Sequence, residues 1–224
     1  PLMSIPFVRD MEFEYGAVSE LSPLIRRIVA HNPGPFTFHG TGTYIIGHEH
    51  IAIIDPGPAD DAHIEALLQA VRGETVTHIL ITHTHRDHSP AAAAVKAATG
   101  AATFAFAAHS GDPAEPGVEE GADFEFQPDQ TIRDGDTIGG PGWTISAVHT
   151  PGHTSNHVCF ALSEEATLFS GDHVMGWSTS VIAPPDGRMA DYLASLSKLL
   201  ERKDELLRPT HGPAIANPKA LVRA

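Results

Sequence analysis

A short histidine-rich segment constrains this chain more than any other part of its sequence. The segment is His83-Thr84-His85-Arg86-Asp87-His88, and it directly follows the apolar run 76–81. Imidazole nitrogens and carboxylate oxygens together suit zinc, iron or manganese, and two clusters of this kind can hold a metal pair. The segment therefore indicates a metal-dependent hydrolase.

The spacing within the segment suggests how the ions are shared. Side chains alternate in direction along an extended chain, so His83 and His85 point the same way and can bind one ion together. Ser89-Pro90 predicts a helix start, with Ser as the N-cap and Pro at the first helical position. Because the chain turns there, Asp87 and His88 can face a second ion. The alternative is a polar loop that happens to be histidine-rich, but the other histidines are mostly scattered singly.

Metal-competent side chains also follow three other apolar runs. They are His149 and His153 after the run 143–148, Asp172 and His173 after the run 167–170, and His211 after the run 206–210. Open sheets place their functional sites at strand ends of this kind. The recurrence at four strand ends predicts that these residues meet in one site.

On these residues, the sequence resembles the metallo-β-lactamase superfamily of binuclear metallohydrolases, from residue 42 to residue 212. The resemblance implies a ligand set residue by residue. The implied ligands are His83, His85 and His153 for the first ion, Asp87, His88 and His211 for the second, and Asp172 bridging the two. Asp55 matches an aspartate that the family places behind its ligands, where it can hold the second nitrogen of a ligating histidine. The alternative for Asp55 is a turn residue before Pro56-Gly57.

Three stretches narrow the resemblance, at 82–90, 150–157 and 169–172. They look most like the branch that contains the lactamase-β-like endoribonucleases and their uncharacterised bacterial relatives. A bridging Asp172 argues against antibiotic hydrolysis as the main task. Endoribonuclease-type members continue into a C-terminal helical domain, and this chain stops at Ala224. We therefore expect that extension either to be missing or to have been cut off, which places nucleic-acid binding in doubt.

The resemblance also implies a fold and a mechanism. The expected fold is the four-layer αββα sandwich of the α/β (α+β) class, as a single domain over 1–224. Two divalent ions about 3.5–4 Å apart would lower the pKa of a bridging water, giving a hydroxide that attacks an ester, thioester, lactone or phosphoester bond. Zinc is the default metal, with manganese and iron as alternatives. Asp87 and Asp172 are the expected catalytic carboxylates.

Two further polar residues of the segments have expected positions. His157 follows His153 by four residues and is expected to donate a proton to the substrate or leaving group, with a strand-edge histidine as the alternative. Arg86 is expected to face away from the ions, because a cation among them would be repelled.

The rest of the chain predicts alternating strands and helices. Strands are expected at 44–46 and 51–54, and a helix capped by Asp60 or Asp61 is expected to close at Gly73. A helix at 91–99 should end at Gly100. A further helix is expected at 189–200. Its apolar stripe is predicted to be core and comprises Met189, Tyr192, Leu193, Leu196, Leu199 and Leu200. Two strand-and-helix halves should divide near the loop 110–121.

Composition limits the class of protein. A chain of 224 residues that is 42% hydrophobic can bury one domain, and no run approaches the roughly 18 apolar residues of a membrane helix. The single cysteine, Cys159, excludes an internal disulfide and fits a reducing, cytoplasmic compartment. Cys159 lies in an apolar run, so we expect it to fill the core.

Charge bears on the partners. The formal net charge is −14, with 14 Lys and Arg against 28 Asp and Glu. Nucleic-acid binders usually carry a basic patch, so binding of long RNA is disfavoured and a small-molecule substrate is favoured. Three alternatives remain at this point. They are an endoribonuclease acting on single-stranded RNA, an iron-dependent sulfur dioxygenase, and a non-enzyme whose metal site is a structural brace.

The loops around the predicted site do not specify a substrate. Trp177, Phe36 and Phe38 could form an apolar wall of the pocket, or they could merely cover the core.

Overall fold

The computed structural model describes residues 5–111 and 121–224, and its strands form two mixed sheets. The first sheet has seven strands in chain order, β1 (Ser19–Glu20), β2 (Ile25–Val29), β3 (Gly42–Ile46), β4 (His50–Ile54), β5 (Thr75–Leu80), β6 (Ala102–Ala105) and β7 (Gln130–Thr131). Strands β1 to β4 pair antiparallel, and β4 to β7 pair parallel. The carboxyl ends of β4, β5 and β6 therefore lie at one edge.

The second sheet has five strands. They are β8 (Thr137–Gly140), β9 (Trp143–His149), β10 (Val158–Leu162), β11 (Thr167–Gly171) and β12 (Leu206–Pro209), in the order β12-β11-β10-β9-β8. Only β11 and β12 pair parallel. A short 3-10 helix (Ser163–Glu165) and four α-helices complete the described elements, the latter being α1 (Asp61–Ala70), α2 (Ala92–Thr99), α3 (Met189–Glu201) and α4 (Pro218–Arg223).

Three buried clusters define four layers. The central cluster joins the facing sides of the two sheets, for example Ile54 and Phe104 with Phe160 and Trp143. A second cluster packs α1 and α2 on the other side of the first sheet. A third packs α3 and α4 on the other side of the second sheet, where the buried thiol Cys159 lies. The predicted αββα sandwich is confirmed, and so is the expectation that Cys159 fills the core.

The strands predicted around residues 44–54 and the helix capped at Asp60 are confirmed. The Asp60 side chain accepts a hydrogen bond from the backbone N–H of His63 at 2.7 Å, and α1 ends at Ala70. The predicted start of α2 is wrong. The helix begins at Ala92 without a side-chain cap, because the Ser89 hydroxyl donates instead to Asp123 Oδ2 at 2.6 Å. Its predicted end at Gly100 is confirmed.

The apolar stripe of α3 is only partly core. Leu199 is buried, but Met189 is 56% exposed and Leu193 is 55% exposed, so the prediction is wrong for these two residues. The helix lies against the loop that follows β9, where the first turn packs on Gly152. A Cβ at Gly152 would lie 2.4 Å from the Cα of Tyr192, so only glycine allows this approach. The side of α3 that faces the protein carries Tyr192, Ser195 and Leu199, so Met189 and Leu193 lie further round the helix and are exposed.

The division between the two halves falls later than predicted. Strand β7, at Gln130–Thr131, pairs with β6 in the first sheet, so the second sheet begins only at β8. Most of the predicted loop 110–121 lies outside the described residues. The expectation of one domain over 1–224 stays a prediction.

Candidate metal centre

Four strand ends bring the predicted ligands into two adjoining groups. The segment after β5 supplies four of them, and the residues after β9, β11 and β12 supply one each. One group is His83, His85 and His153, and the other is Asp87, His88, Asp172 and His211. Within each group the candidate ligand atoms all lie within 4.8 Å of one another. The structure therefore brings together all seven residues of the predicted ligand set.

The three histidines of the first group converge through ring nitrogens. His85 Nδ1 lies 3.0 Å from His83 Nε2 and 3.2 Å from His153 Nε2. His153 Nδ1 donates to the carbonyl oxygen of Val181 at 2.7 Å, so the Nε2 of the neutral ring carries a lone pair. Burial, reinforced by His153, lowers the pKa of His85 to about 3. Burial also lowers the pKa of His83 and His153, so all three rings are neutral, and a neutral imidazole has a lone pair that can bind a metal ion.

In the second group, two histidines face two carboxylates. His211 Nε2 lies 3.0 Å from Asp87 Oδ2 and 3.4 Å from Asp172 Oδ2, and His88 Nε2 lies 3.3 Å and 3.4 Å from the same oxygens. Although both nitrogens are buried, neither is aligned for a hydrogen bond with a described atom. Their Nδ1 atoms are engaged elsewhere, with Asp55 for His88 and with the Gly40 carbonyl for His211.

These distances fit a metal ion better than a hydrogen-bond network. A zinc–nitrogen distance of about 2.0–2.1 Å places the corners of a tetrahedral site about 3.3–3.4 Å apart. The separations of 3.0–3.4 Å in the second group are close to that value. Asp172 Oδ2 also lies 4.0 Å from His153 Nε2, so this oxygen faces both groups. The residues present therefore fit a pair of divalent ions.

The electrostatics of the second group call for positive charge. Burial opposes protonation of His211, but the carboxylates of Asp172 and Asp87 outweigh it and raise its pKa to about 10. Burial likewise opposes ionisation of Asp87, yet His88 and His211 hold the pKa of that carboxyl below its usual value. Two buried carboxylates are tolerated only beside cations, which protonated histidines or metal ions can provide.

Asp55 connects three elements behind the second group. Its Oδ1 accepts from the Thr82 backbone N–H at 2.8 Å. Its Oδ2 accepts from the hydroxyls of Thr82 and Thr210, at 2.7 and 2.9 Å, and from His88 Nδ1 at 2.9 Å. The expected partner of a histidine's second nitrogen is thus confirmed. Asp55 also occupies a tight backbone position, with a φ of 48°, that non-glycine residues rarely adopt.

With this geometry established, comparison with known proteins identifies the family. Residues 36–211 match the family model of the metallo-beta-lactamase superfamily. The chain belongs to the metallo-β-lactamase superfamily. In this superfamily, the fold together with the two histidine and aspartate clusters implies bound metal ions.

Among curated superfamily relatives, the chain is similar to an atrochrysone carboxyl ACP thioesterase of Pseudocercospora fijiensis. The two are 31% identical over 207 residues, which is 90% of this chain and 56% of that protein. The chain thus spans little more than half the length of this relative. The family and this relative's name support the prediction of a metal-dependent hydrolase.

Two solved superfamily structures share the fold. The BLEG-1 B3 metallo-beta-lactamase is 25% identical, with a TM-score of 0.69 over 88% of this chain and 95% of its own. TTHA1623 in a di-iron-bound form is also 25% identical, with a TM-score of 0.65 over 85% of this chain and 93% of its own. The narrower resemblance to the endoribonuclease branch stays a prediction.

His157 lies behind the ligands rather than among them. Its ring is fully buried, and its Nε2 accepts from the backbone N–H of Asp172 at 3.2 Å. Its Nδ1 lies 2.9 Å from the Thr150 hydroxyl. Because both nitrogens are engaged within the protein, the contacts favour a positioning role over the expected donation to a substrate. Neighbouring His173 is also buried, and neither of its nitrogens has a hydrogen-bond partner among the described atoms.

Sequence reasoning missed the groups that orient the ligands. The carbonyls of Gly40 and Val181 accept from His211 and His153, and a backbone carbonyl leaves no trace in the residue type. Thr82 and Thr210 did leave a signal, because each directly precedes a histidine at a strand end. Arg86 is exposed, with its Nε donating to the Ala122 carbonyl, so the expectation that it faces away from the ions is confirmed.

The ligand geometry bears on one of the alternative functions. A single-iron dioxygenase needs fewer ligands, so the presence of both groups counts against it.

In the described ranges, 5–111 and 121–224, no helix has both the length and the apolar character of a membrane span. The cytoplasmic location stays a prediction.

Proposed function

We propose that this chain is a binuclear metal-dependent hydrolase that cleaves a thioester bond in a small-molecule substrate. The observation that carries the proposal is the convergence of the two groups on Asp172 Oδ2, 3.4 Å from His88 and His211 and 4.0 Å from His153. A structural metal site would need only one closed group of four ligands. Two adjoining groups sharing a carboxylate are suited to catalysis.

The roles of the residues follow from their placement. His83, His85 and His153 would hold one ion, and Asp87, His88 and His211 the other, with Asp172 shared. When bound, such a pair supplies an activated water near neutral pH and polarises the substrate carbonyl. Zinc is the first choice for this donor set, and manganese and iron suit it too.

Side chains of the protein would orient the attacking water and hold the shared carboxylate in place. Hydrolysis joins the water oxygen to the acyl carbon, breaks the carbon–sulfur bond and releases the thiol with a proton. Asp87, buried beside His211, is placed to orient the attacking water. His157 fixes the backbone of Asp172 and so keeps the shared carboxylate between the two groups.

The name of the curated relative favours a thioester substrate, and the net charge of the chain disfavours an RNA substrate. The curated relative is named as an acyl carrier protein thioesterase, and the match covers 90% of this chain. The net charge of −14 disfavours long RNA, whose binding depends on phosphate neutralisation. Esters and lactones share the carbonyl chemistry and form the natural comparison set.

The test combines metal content with substrate choice. We expect elemental analysis of the purified chain to give about two zinc, manganese or iron ions, and the metal-loaded enzyme to hydrolyse acyl thioesters faster than matched esters, lactones and a phosphodiester. Asp172→Asn should lose one ion and most activity. Glu74→Gln, which alters a carboxylate paired with Arg26 elsewhere, is the matched control. One iron per chain with no hydrolysis would overturn the proposal.

A further inference from the structure

Two aromatic rings stack beside the candidate metal centre. The rings of Phe38 and Trp177 are nearly parallel, with centroids 4.7 Å apart and an interplanar angle of 14°. Both side chains are half-buried, and neither belongs to the three buried clusters of the fold. We call this pair the aromatic wall. Neither ring is among the partly buried residues that pack against those clusters, so covering the core does not account for the aromatic wall.

The aromatic wall adjoins the second ligand group. Trp177 Cδ1 lies 2.6 Å from where a Cβ on Gly212 would be, so the indole rests against the backbone that follows His211. The loop that carries Phe38 reaches the same point, because the Gly40 carbonyl accepts from His211 Nδ1 at 3.1 Å. Both segments therefore meet at one ligand of the candidate centre.

Each member of the aromatic wall is held in a way that does not favour stability. Phe38 has a φ of 57°, in the left-handed region that aromatic residues rarely adopt. The indole Nε1 of Trp177 is buried with no hydrogen-bond partner in the described part of the chain. Strained backbone and unsatisfied polar groups that persist beside a site indicate a functional constraint there.

The aromatic surface extends beyond the stacked pair. The centroid of the His39 ring lies 3.9 Å from that of Phe38 and 5.4 Å from that of Phe13, with the rings tilted by 43° and 39°. Nearby Phe36 remains 37% exposed. A flexible alkyl chain needs only apolar area, whereas a group of aromatic rings gives additional attraction to a flat aromatic group, through stacked or edge-to-face contacts.

We propose that the aromatic wall binds a planar aromatic acyl group and so determines which thioesters the enzyme accepts. The inference rests on the proposed thioester hydrolysis and adds the chemical class of its acyl group. The acyl group is favoured over the thiol side because carrier thiols present a flexible aliphatic arm to the site. Phe38 and Trp177 are thus specificity residues that contact the substrate away from the reacting carbon.

The first experiment compares two substrates. The probes are the N-acetylcysteamine thioesters of 2-naphthoic acid and octanoic acid, assayed with the metal-loaded full chain. We expect kcat/KM to favour the naphthoyl thioester, and Trp177→Leu and Phe38→Leu each to reduce that preference about 2- to 10-fold, the range expected for one lost stacking contact. Trp177→Phe keeps a ring and should keep most of the preference.

A matched control separates stacking from folding. Phe106 is also half-buried and stacks on His149, at 3.7 Å, but it packs against the central cluster. Phe106→Leu should lower the thermal midpoint without changing the ratio of the two substrates. Active Trp177→Leu and Phe38→Leu enzymes with an unchanged ratio would overturn the inference.

A second experiment measures binding without turnover. The chain has two tryptophans, and the other, Trp143, is buried in the central cluster. Saturable quenching of tryptophan fluorescence by 2-naphthoate, absent in Trp177→Phe, is the expected result. If no thioester is hydrolysed, the proposed function fails, and this titration still decides the inference. Quenching that persists in Trp177→Phe, or no saturable binding, would overturn it.

Discussion

Asp55 and His88 form a buried contact of 2.9 Å, from His88 Nδ1 to Asp55 Oδ2. The contact fixes the ring so that its Nε2 faces Asp87 and Asp172. Since the same carboxylate also binds Thr82 and Thr210, it joins the segments that carry His83 and His211. One side chain that contacts no substrate thus sets the geometry of the second ligand group.

Replacing Asp55 should weaken binding of the ion held by the second ligand group and leave the ion held by the first group bound. Asp55→Asn keeps the shape but exchanges one acceptor for a donor, so His88 loses its orienting partner. We expect a loss of 10- to 100-fold in affinity for one of the two ions, as is typical for partners of ligating histidines. Competition with a chelating dye measures it. Asp60→Ala, which removes the cap of α1, should lower stability alone, and an equal affinity loss in both variants would contradict the prediction.

Removing the ions should destabilise the fold. An ion that binds only the folded chain stabilises it by about 2.7 kcal/mol at one hundred times its Kd. For a domain of this size, that corresponds to about 5–10 °C in Tm. We expect a chelator to lower the Tm by this amount, and added zinc, manganese or iron to restore it. Calorimetry showing the same Tm with and without chelator would contradict the prediction.

Two substitutions at His157 distinguish positioning from proton transfer. In His157→Gln the amide oxygen can still accept from the Asp172 N–H, whereas His157→Ala leaves that buried group without a partner, at about 1–3 kcal/mol. We therefore expect the His157→Gln variant to retain both ions and most of the activity. The His157→Ala variant should be less stable and bind less metal. Full metal content with lost activity in the Gln variant would instead support the proton-donor role.

The Cys159 thiol should be unreactive in the folded protein. Burial raises its pKa to about 12, although the Thr150 hydroxyl opposes the shift. Because the folded pKa exceeds the unfolded value near 9, the thiol favours folding below pH 9, and this contribution is lost as pH rises toward 12. A thiol reagent at pH 8 should react only after denaturant is added. Rapid reaction with the native chain would contradict this prediction.

The ligand set was predictable because strand ends and residue types both appear in the sequence. The apolar run before His83 and those before Asp172 and His211 are all strands, and their ends meet as predicted. The start of helix α1 was likewise predicted from its capping residue, Asp60. A local sequence signal is enough to predict a structural role that one residue fills without contacts to distant segments.

The predictions that failed depended on contacts between distant segments. Ser89 has the sequence of a helix cap, but Asp123, 34 residues away, takes its hydroxyl. Met189 and Leu193 continue an apolar stripe, yet the side of α3 that packs on the rest of the chain carries Tyr192, Ser195 and Leu199 instead. The sequence analysis left open whether Phe38 and Trp177 form an apolar wall or cover the core, because their stacking joins two loops that are far apart along the chain.

The ligands come from both sheets, with His83 to His88 following the first and His153, Asp172 and His211 belonging to the second. An ion pair held there ties together segments that are far apart along the chain. Such a site can be complete only after both halves have formed and docked, so the ions contribute little to the folding transition state. Their effect should therefore fall on the unfolding rate, so that bound metal slows the loss of the folded state and leaves the folding rate almost unchanged.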